Sequence, residues 1–453
     1  MLSLGLQMGK KFRKWTPDQL WLLPPSPREW LADDHLIYFL LDAVGEMDLS
    51  PFFERYQNSV SGQPPFHPRM MVTLLLYAYC KGVFSSRKIM SRCHEDIAFR
   101  VIVGEDIPDF RTISDFRKDN LSHMKSLFVQ TLMVCQQAGL VKLGRVALDG
   151  SKVKANASRH KAMSYERMLE TEERLQQEIG SLLSAAERAD DDDDARFGDR
   201  HGEELPDELA RRETRLKKIR EAREALEQQA REKAARHVEQ MESKGRTPRI
   251  APEEAVPKPK DQRNFTDPDS KIMKTSNKGF DQCGNAQIVT DENQVILAAD
   301  VTNQANDVRQ VAPLLAQLQS NVEAAELEGE LHEFLGDAGY FSESNVNTLV
   351  DAKLDPYLAT QRLKHNEQIP EAPRGRIPDG LSPKQRMARK LRTKKGRETY
   401  SKRKWIVEPV FGQIKESRGF RQFLLRGLEN MQGEWTLMCL THNLLKAFTA
   451  GVA

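Results

Sequence analysis

No run of apolar residues in this 453-residue chain approaches the roughly 18 needed to span a bilayer, so no membrane partner is expected. The opening MLSLGLQMGKKFRKW holds too short an apolar stretch for a secretory signal, which points to a cytoplasmic protein. Cysteine is sparse: Cys80, Cys93, Cys135, Cys283 and Cys439 are scattered without a CxxC pair, which suits a reducing compartment and argues against a zinc site. Cys93-His94 is followed by no second pair at zinc spacing and reads as ordinary helix residues. Net charge is nearly absent too. With 68 Lys+Arg against 66 Asp+Glu the formal total is +2, which says nothing about a partner. The distribution says more: from Arg374 to Arg426 there are 17 Lys+Arg and 4 Asp+Glu. A positive field that concentrated suits a polyanion such as DNA, and a solvated basic loop is the plain alternative.

Residues 1–140 read as a helical domain. PRMMVTLLLYAYCKGV and MKSLFVQTLMVCQQAGL carry apolar residues at helical spacing, with breaks at Pro24–Pro27 and Pro64-Pro65. Between them lie two short helical patterns joined through Gly104 and Pro108, the second capped by Thr112 or Ser114 and carrying Arg111, Arg117 and Lys118. This is either a helix-turn-helix DNA reader or two packed helices with solvated basic residues, and the long turn favours the second. GRVALDGSKV then reads as a strand ending at Asp149-Gly150. In residues 163–244, Met168, Leu175, Ile179 and Leu182, and later Leu209, Leu216, Ile219 and Leu226, recur at heptad spacing. They predict an antiparallel coiled-coil hairpin, with Asp190–Asp194 and Pro206 in a solvated tip. Residues 245–265 read as an extended return. Two strands, Asn285–Thr290 and Gln294–Val301, form a hairpin. A helix over Asp307–Leu318, a strand over Glu333–Gly336, a helix after Ser342 and a strand over Pro356–Thr360 follow. A helix near Glu408 and an apolar helix over Trp435–Phe448 close the pattern. The expected architecture is α/β: a mixed sheet flanked by helices, from residues 141–162 and 245–453, with an all-α N-terminal domain and a helical insertion.

Two carboxylates close core-like strands: Asp149 after VAL, and Asp337 after EFLG. Burying a carboxylate there costs free energy unless a cation or a partner offsets it. A pair on adjacent strands can hold a divalent ion, and two such ions stabilise the attacking and leaving oxygens of phosphoryl transfer. Glu408 is the candidate third acid, in a stretch whose apolar members are Trp405, Ile406, Val407, Val410, Phe411 and Ile414. Lys415, seven residues on, falls on the same helical face as Glu408. Pro409 either starts the helix or kinks it, so Lys404 and Glu408 need not share a face. Asp300 competes for the second position from a hairpin strand. Asp267, Asp269, Asp281 and Asp291 lie among turn residues and read as solvated.

These segments together resemble the DDE transposases of bacterial insertion sequences. LDGSKVKANAS is similar to their first-aspartate segment, FLGDAGY to the second-aspartate segment, and RKWIVEPVFGQIKESRGFRQFLLRGLEN to the glutamate segment. The segment from Asp267 to Leu315 resembles the block between the aspartates, and the N-terminal helices resemble the region those proteins carry before the catalytic domain. The resemblance covers nearly the whole chain except the charged hairpin and the tails. It implies an RNase H-like fold, catalytic and metal-holding Asp149, Asp337 and Glu408, and two Mg2+ ions, with Mn2+ as a substitute. Asp149 would bridge the two ions, with Asp337 and Glu408 each completing one. It also implies double-stranded DNA as partner, both the terminal inverted repeats and the target, a homodimer, and work at the bacterial nucleoid. The family signature Tyr-x2-Arg-x3-Glu-x6-Lys is met by Tyr400, Arg403, Glu408 and Lys415, but four residues separate Arg403 from Glu408. Lys404 has the signature spacing instead, leaving open which of the two contacts DNA. Gly284 stands where the family commonly has Tyr. The expected function is metal-dependent cutting at element ends followed by strand transfer. Two alternatives are a nuclease of the same fold without joining and a catalytically silent DNA-binding regulator.

Overall fold

The computed structural model describes residues 14–16, 27–54, 56, 64–197, 207–242, 251–275, 279–361, 372–376, 378 and 380–451. Its strands are β1 (Arg145–Lys154), β2 (Ala162–Ser164), β3 (Gln262–Asn264), β4 (Lys271–Lys274), β5 (Phe280–Asp291), β6 (Ile296–Thr302), β7 (Glu333–Gly336) and β8 (Asp355–Leu358). The N-terminal helices are α1 (Leu36–Glu46), α2 (Ser50–Glu54), α3 (Pro68–Cys80), α4 (Ser86–Glu95), α5 (Ile97–Val103), α6 (Phe110–Asp119) and α7 (Met124–Gln137). Then come α8 (Tyr165–Phe197), α9 (Asp207–Glu242), α10 (Val311–Ala324), α11 (Glu343–Asp351), α12 (Pro383–Arg392), α13 (Lys394–Gly412) and α14 (Leu428–Thr449).

Val146, Ala147 and Leu148 are fully buried because β1 is the central strand, antiparallel to β5 on one side and parallel to β7 on the other. The order across the sheet is β6-β5-β1-β7-β8, with β4 also pairing β5. Three antiparallel strands followed by two parallel ones is the RNase H-like arrangement, so the expected α/β class holds. The chain folds into two compact units. One comprises Met1–Ala155, Lys274–Gly279 and Cys283–Ala453; the other comprises Asn156–Met273 and Phe280–Gln282.

In the first unit α14 is the organising helix. It is buried from Met431 to Leu444 except Gln432, and packs on β6, α7, α3 and α1. It carries one buried acid, Glu434, whose carboxylate accepts from Tyr79 Oη at 3.0 Å and from Leu424 N at 2.9 Å. Arg117 of α6 reaches the same Tyr79 hydroxyl and the Phe84 carbonyl. Arg117 is 3% exposed, so the expectation that it is a solvated basic residue is corrected. The cap of α6 is also neither Thr112 nor Ser114 but Asp109, which accepts from Arg111 N.

In the second unit α8 and α9 pack as the expected hairpin. Met168, Leu175, Leu216, Ile219, Ala222 and Leu226 form its apolar seam, with Ile179 partly buried beside them. Helix α8 runs through the acidic stretch to Phe197, and the connecting residues 198–206, with Pro206, lie outside the described residues. Pro24 to Ser26 lie outside them as well. Of the expected extended return, residues 245–250 do too, and the rest includes a 3-10 turn at Pro252–Glu254 and β3.

Candidate active site

Strand β1 does not end at Asp149; it continues to Lys154, paired with β5. What ends there is its parallel partnership, whose last pair is Leu148↔Gly336. Asp149 and Asp337 are therefore the next residues along two adjacent parallel strands, which run about 4.8 Å apart. Each carboxylate is anchored by main chain: Asp149 Oδ1 accepts from Gly150 N, and Asp337 Oδ1 from Gly339 N, both at 2.8 Å. Burial pushes the Asp149 carboxyl above its ordinary range. The Arg403 guanidinium pulls against that, and the negative charge of Asp337 adds to it.

Glu408 comes from α13, which also supplies Tyr400, Arg403 and Lys404. Pro409 lies inside this helix, which neither starts nor ends there. Arg403 is the cation that turns inward. Its Nη1 donates to Asp149 Oδ2 at 3.1 Å and its Nη2 lies 3.7 Å from Glu408 Oε1. Lys404, one residue on and so rotated by about 100° around the helix, is exposed. Tyr400 is half-buried beside Arg403; burial raises its phenol, against the pull of Arg403. Lys415 is not on a regular helix with Glu408. It sits in a π-helical turn, Gln413–Ser417, and its Nζ donates to Ser151 Oγ and, at 3.1 Å, to the Lys152 carbonyl. That places an ammonium on β1 two residues past Asp149, and burial pushes its pKa down.

Beside these acids lies a network that the sequence did not reveal. Asp307 Oδ1 accepts from Asn285 Nδ2 at 2.6 Å, from Gln287 Nε2 at 3.0 Å and from Lys152 Nζ at 3.0 Å. Tyr340 Oη donates to Gln287 Oε1. Gly150 leaves room for this network: a Cβ there would lie 2.2 Å from Gln287 Nε2, so that amide would have to shift. Asp307 looked like the start of a helix. Its one distinguishing signal was its place in the block between the aspartates, which resembles the transposase pattern. Gly284 fits tightly too: a Cβ would lie 2.9 Å from Val301 and 3.1 Å from Phe423, so this strand position has no room for the Tyr common in that family.

Other expectations need correction. Asp291 and Asp267 are fully buried, not solvated. Asp291 accepts from Lys142 N, Asn293 N and Val295 N, and burial pushes its carboxyl up to about 6. Trp405, expected on the apolar face, is 78% exposed. Asp300 is occupied by Gln432 Nε2 at 2.9 Å.

The donor set of Asp149, Asp337 and Glu408 is all oxygen, as a hard divalent cation requires, and it already attracts positive charge in the form of Arg403. Among the described residues no three His, Cys, Asp or Glu side chains converge closely enough to hold an ion; Arg403 reaches two of the acids instead. A sheet of this order, with one acid following the last residue pair of each of two adjacent parallel strands, defines an RNase H-like α/β domain. Residues 26–119 match the model of a transposase domain (DUF772), and residues 254–444 match that of a transposase DDE domain. No curated protein and no solved structure matches the chain. The chain belongs to the insertion-sequence DDE transposases, a family of DNA-cleaving, divalent-metal-dependent enzymes. Asp337 and Glu408 fall inside the second matched segment, whereas Asp149 lies between the two. Among the described residues no helix is long and apolar enough to cross a membrane.

Proposed function

We propose that this transposase cuts DNA at the ends of its element and joins the freed 3′-hydroxyl to target DNA at one site built from Asp149, Asp337 and Glu408. The observation that supports the reading most directly is the bridge made by Arg403, which draws Glu408 of α13 toward Asp149 of β1. Two divalent ions, Mg2+ or Mn2+, when held by these acids stabilise charge on the attacking and leaving oxygens. The chain's own contribution is position. Main-chain donors Gly150 N and Gly339 N aim the two aspartates. Arg403 and Lys415 supply cationic donors beside the scissile phosphate, while Tyr400 buttresses Arg403. Exposed Lys404 and the basic helix α12 add affinity for the DNA backbone that falls with salt. Water is the nucleophile in cutting and the 3′-hydroxyl in joining, so no covalent protein intermediate is needed. The paired element ends call for a homodimer.

The test is cleavage and joining of a duplex carrying the element's own ends, with Mg2+ or with chelator. Wild type is compared with Asp149→Asn, Asp337→Asn and Glu408→Gln. Metal-dependent cutting and joining, lost in all three while DNA binding persists, is the expected result. Cutting without joining would mean a nuclease, and activity retained in the variants would mean the acids are misassigned.

A further inference from the structure

The hairpin unit holds a groove of about 910 Å³ between α9, the start of α8 and the β2–β3 ribbon. Its floor is apolar, with Met163, Ile219, Ala222 and Phe265. Its walls are cationic. Arg211, Arg215 and Lys218 stand at i, i+4 and i+7 on one face of α9, a line about 10 Å long, and Lys161, Arg167 and Arg263 line it with them. Among the described residues the only carboxylate lining it is Glu221.

The two flanks of the apolar seam differ in a way that composition alone does not require. On the far flank, cations are matched by acids: Arg212 with Glu178 at 3.1 Å, Arg220 with Glu172 at 2.9 Å, and Arg223 with Glu172 at 3.3 Å. On the groove flank none of the six cations forms an ion pair with a described residue. Like charges crowded along one face cost stability, and an anionic ligand would offset that cost.

We infer that this groove binds the phosphate backbone of duplex DNA, making the hairpin a second DNA contact separate from the catalytic acids. The inference rests on DNA being the partner, as the family indicates, but not on the assignment of the acids. Contacts to phosphate position the duplex without reading its sequence, so the groove grips DNA of any sequence.

The experiment measures binding of the full chain to a duplex of arbitrary sequence, in chelator so that no cutting intervenes, across a range of salt. Arg211→Gln/Arg215→Gln/Lys218→Gln is compared with wild type and with Arg212→Gln/Arg220→Gln from the paired flank. Glutamine keeps helix propensity, and far-ultraviolet circular dichroism with a melting curve verifies the fold. The groove variant is expected to flatten the plot of log K against log salt by about 2.7, at about 0.9 per lost charge, and the control to leave it unchanged. An unchanged slope in a folded groove variant, or an equal loss in the control, would overturn the inference. So would loss of affinity for single-stranded RNA with duplex binding intact. Cleavage by the acid variants is scored separately, so an error in the active-site assignment would show there and leave this binding result readable.

Discussion

Replacing Arg403 by Gln removes the positive charge that bridges two of the three acids, and the consequence for metal affinity can be worked out. The contact to Asp149 at 3.1 Å corresponds to about 5 kcal/mol of gross Coulomb attraction at an effective dielectric of about 20. The net value is smaller, because a displaced guanidinium regains hydration; hydrogen bonds to charged groups are worth about 1.5–3 kcal/mol net. The 3.7 Å contact to Glu408 adds little, since that side chain is 54% exposed and well screened. A divalent cation entering the acid set must displace this bond. The Arg403→Gln protein without DNA should therefore bind Mn2+ roughly 10- to 100-fold more tightly, at about 1.4 kcal/mol per decade. The assay is titration of free Mn2+ by electron paramagnetic resonance, with Lys404→Gln as the control of equal charge change. In wild type, adding DNA should produce part of the same gain, because phosphate offers the guanidinium another anion. If Arg403→Gln and Lys404→Gln bind Mn2+ alike, or Arg403→Gln binds more weakly than wild type, the displacement argument fails.

Gly150→Ala forces Gln287 away from Asp307, since the new methyl would lie 2.2 Å from Gln287 Nε2; a loss of about 1–3 kcal/mol in denaturant stability and a fall in cleavage are expected. Glu434→Ala strands Arg117 in the core next to α14 and should cost about 3–5 kcal/mol, read from urea midpoints, whereas a change below about 1 kcal/mol would mean the pair is not coupled through Tyr79. His442 is fully buried between Gln413 and the Gln294 carbonyl, and burial pushes its imidazole from 6.5 down to about 3. Below pH 6.5 the unfolded chain takes up a proton that the folded chain refuses, so stability falls as pH drops from 6.5 toward 3, by about 2 kcal/mol at pH 5. His442→Gln should remove that component, measured as the difference between its pH profile and that of wild type.

Periodicity in the chain was enough to find most elements. Short runs of apolar and small residues marked β1 and β7, heptads marked α8 and α9, and Ser342 caps α11 as its position promised. These features are local, set by the 2-residue and 3.6-residue repeats of strand and helix, so a sequence displays them directly. The three acids proposed for the site also stand out in the sequence, because each ends or follows a hydrophobic segment in a recognisable motif. Tertiary structure decided which neighbour of two does what. Arg403 and Lys404 carry the same charge in adjacent positions, and only the rotation of α13 against β1 turns the first to Asp149 and leaves the second in water. The register of β1 against β5 placed Lys152, Asn285 and Gln287 on one face, where Asp307, 155 positions from Lys152, could join them. Packing against α3 and α4 buried Arg117, which its helix alone would have left in solvent. Such pairings join residues remote in sequence, and no local repeat encodes them; they follow from strand register and helix packing, which exist only once the chain has folded.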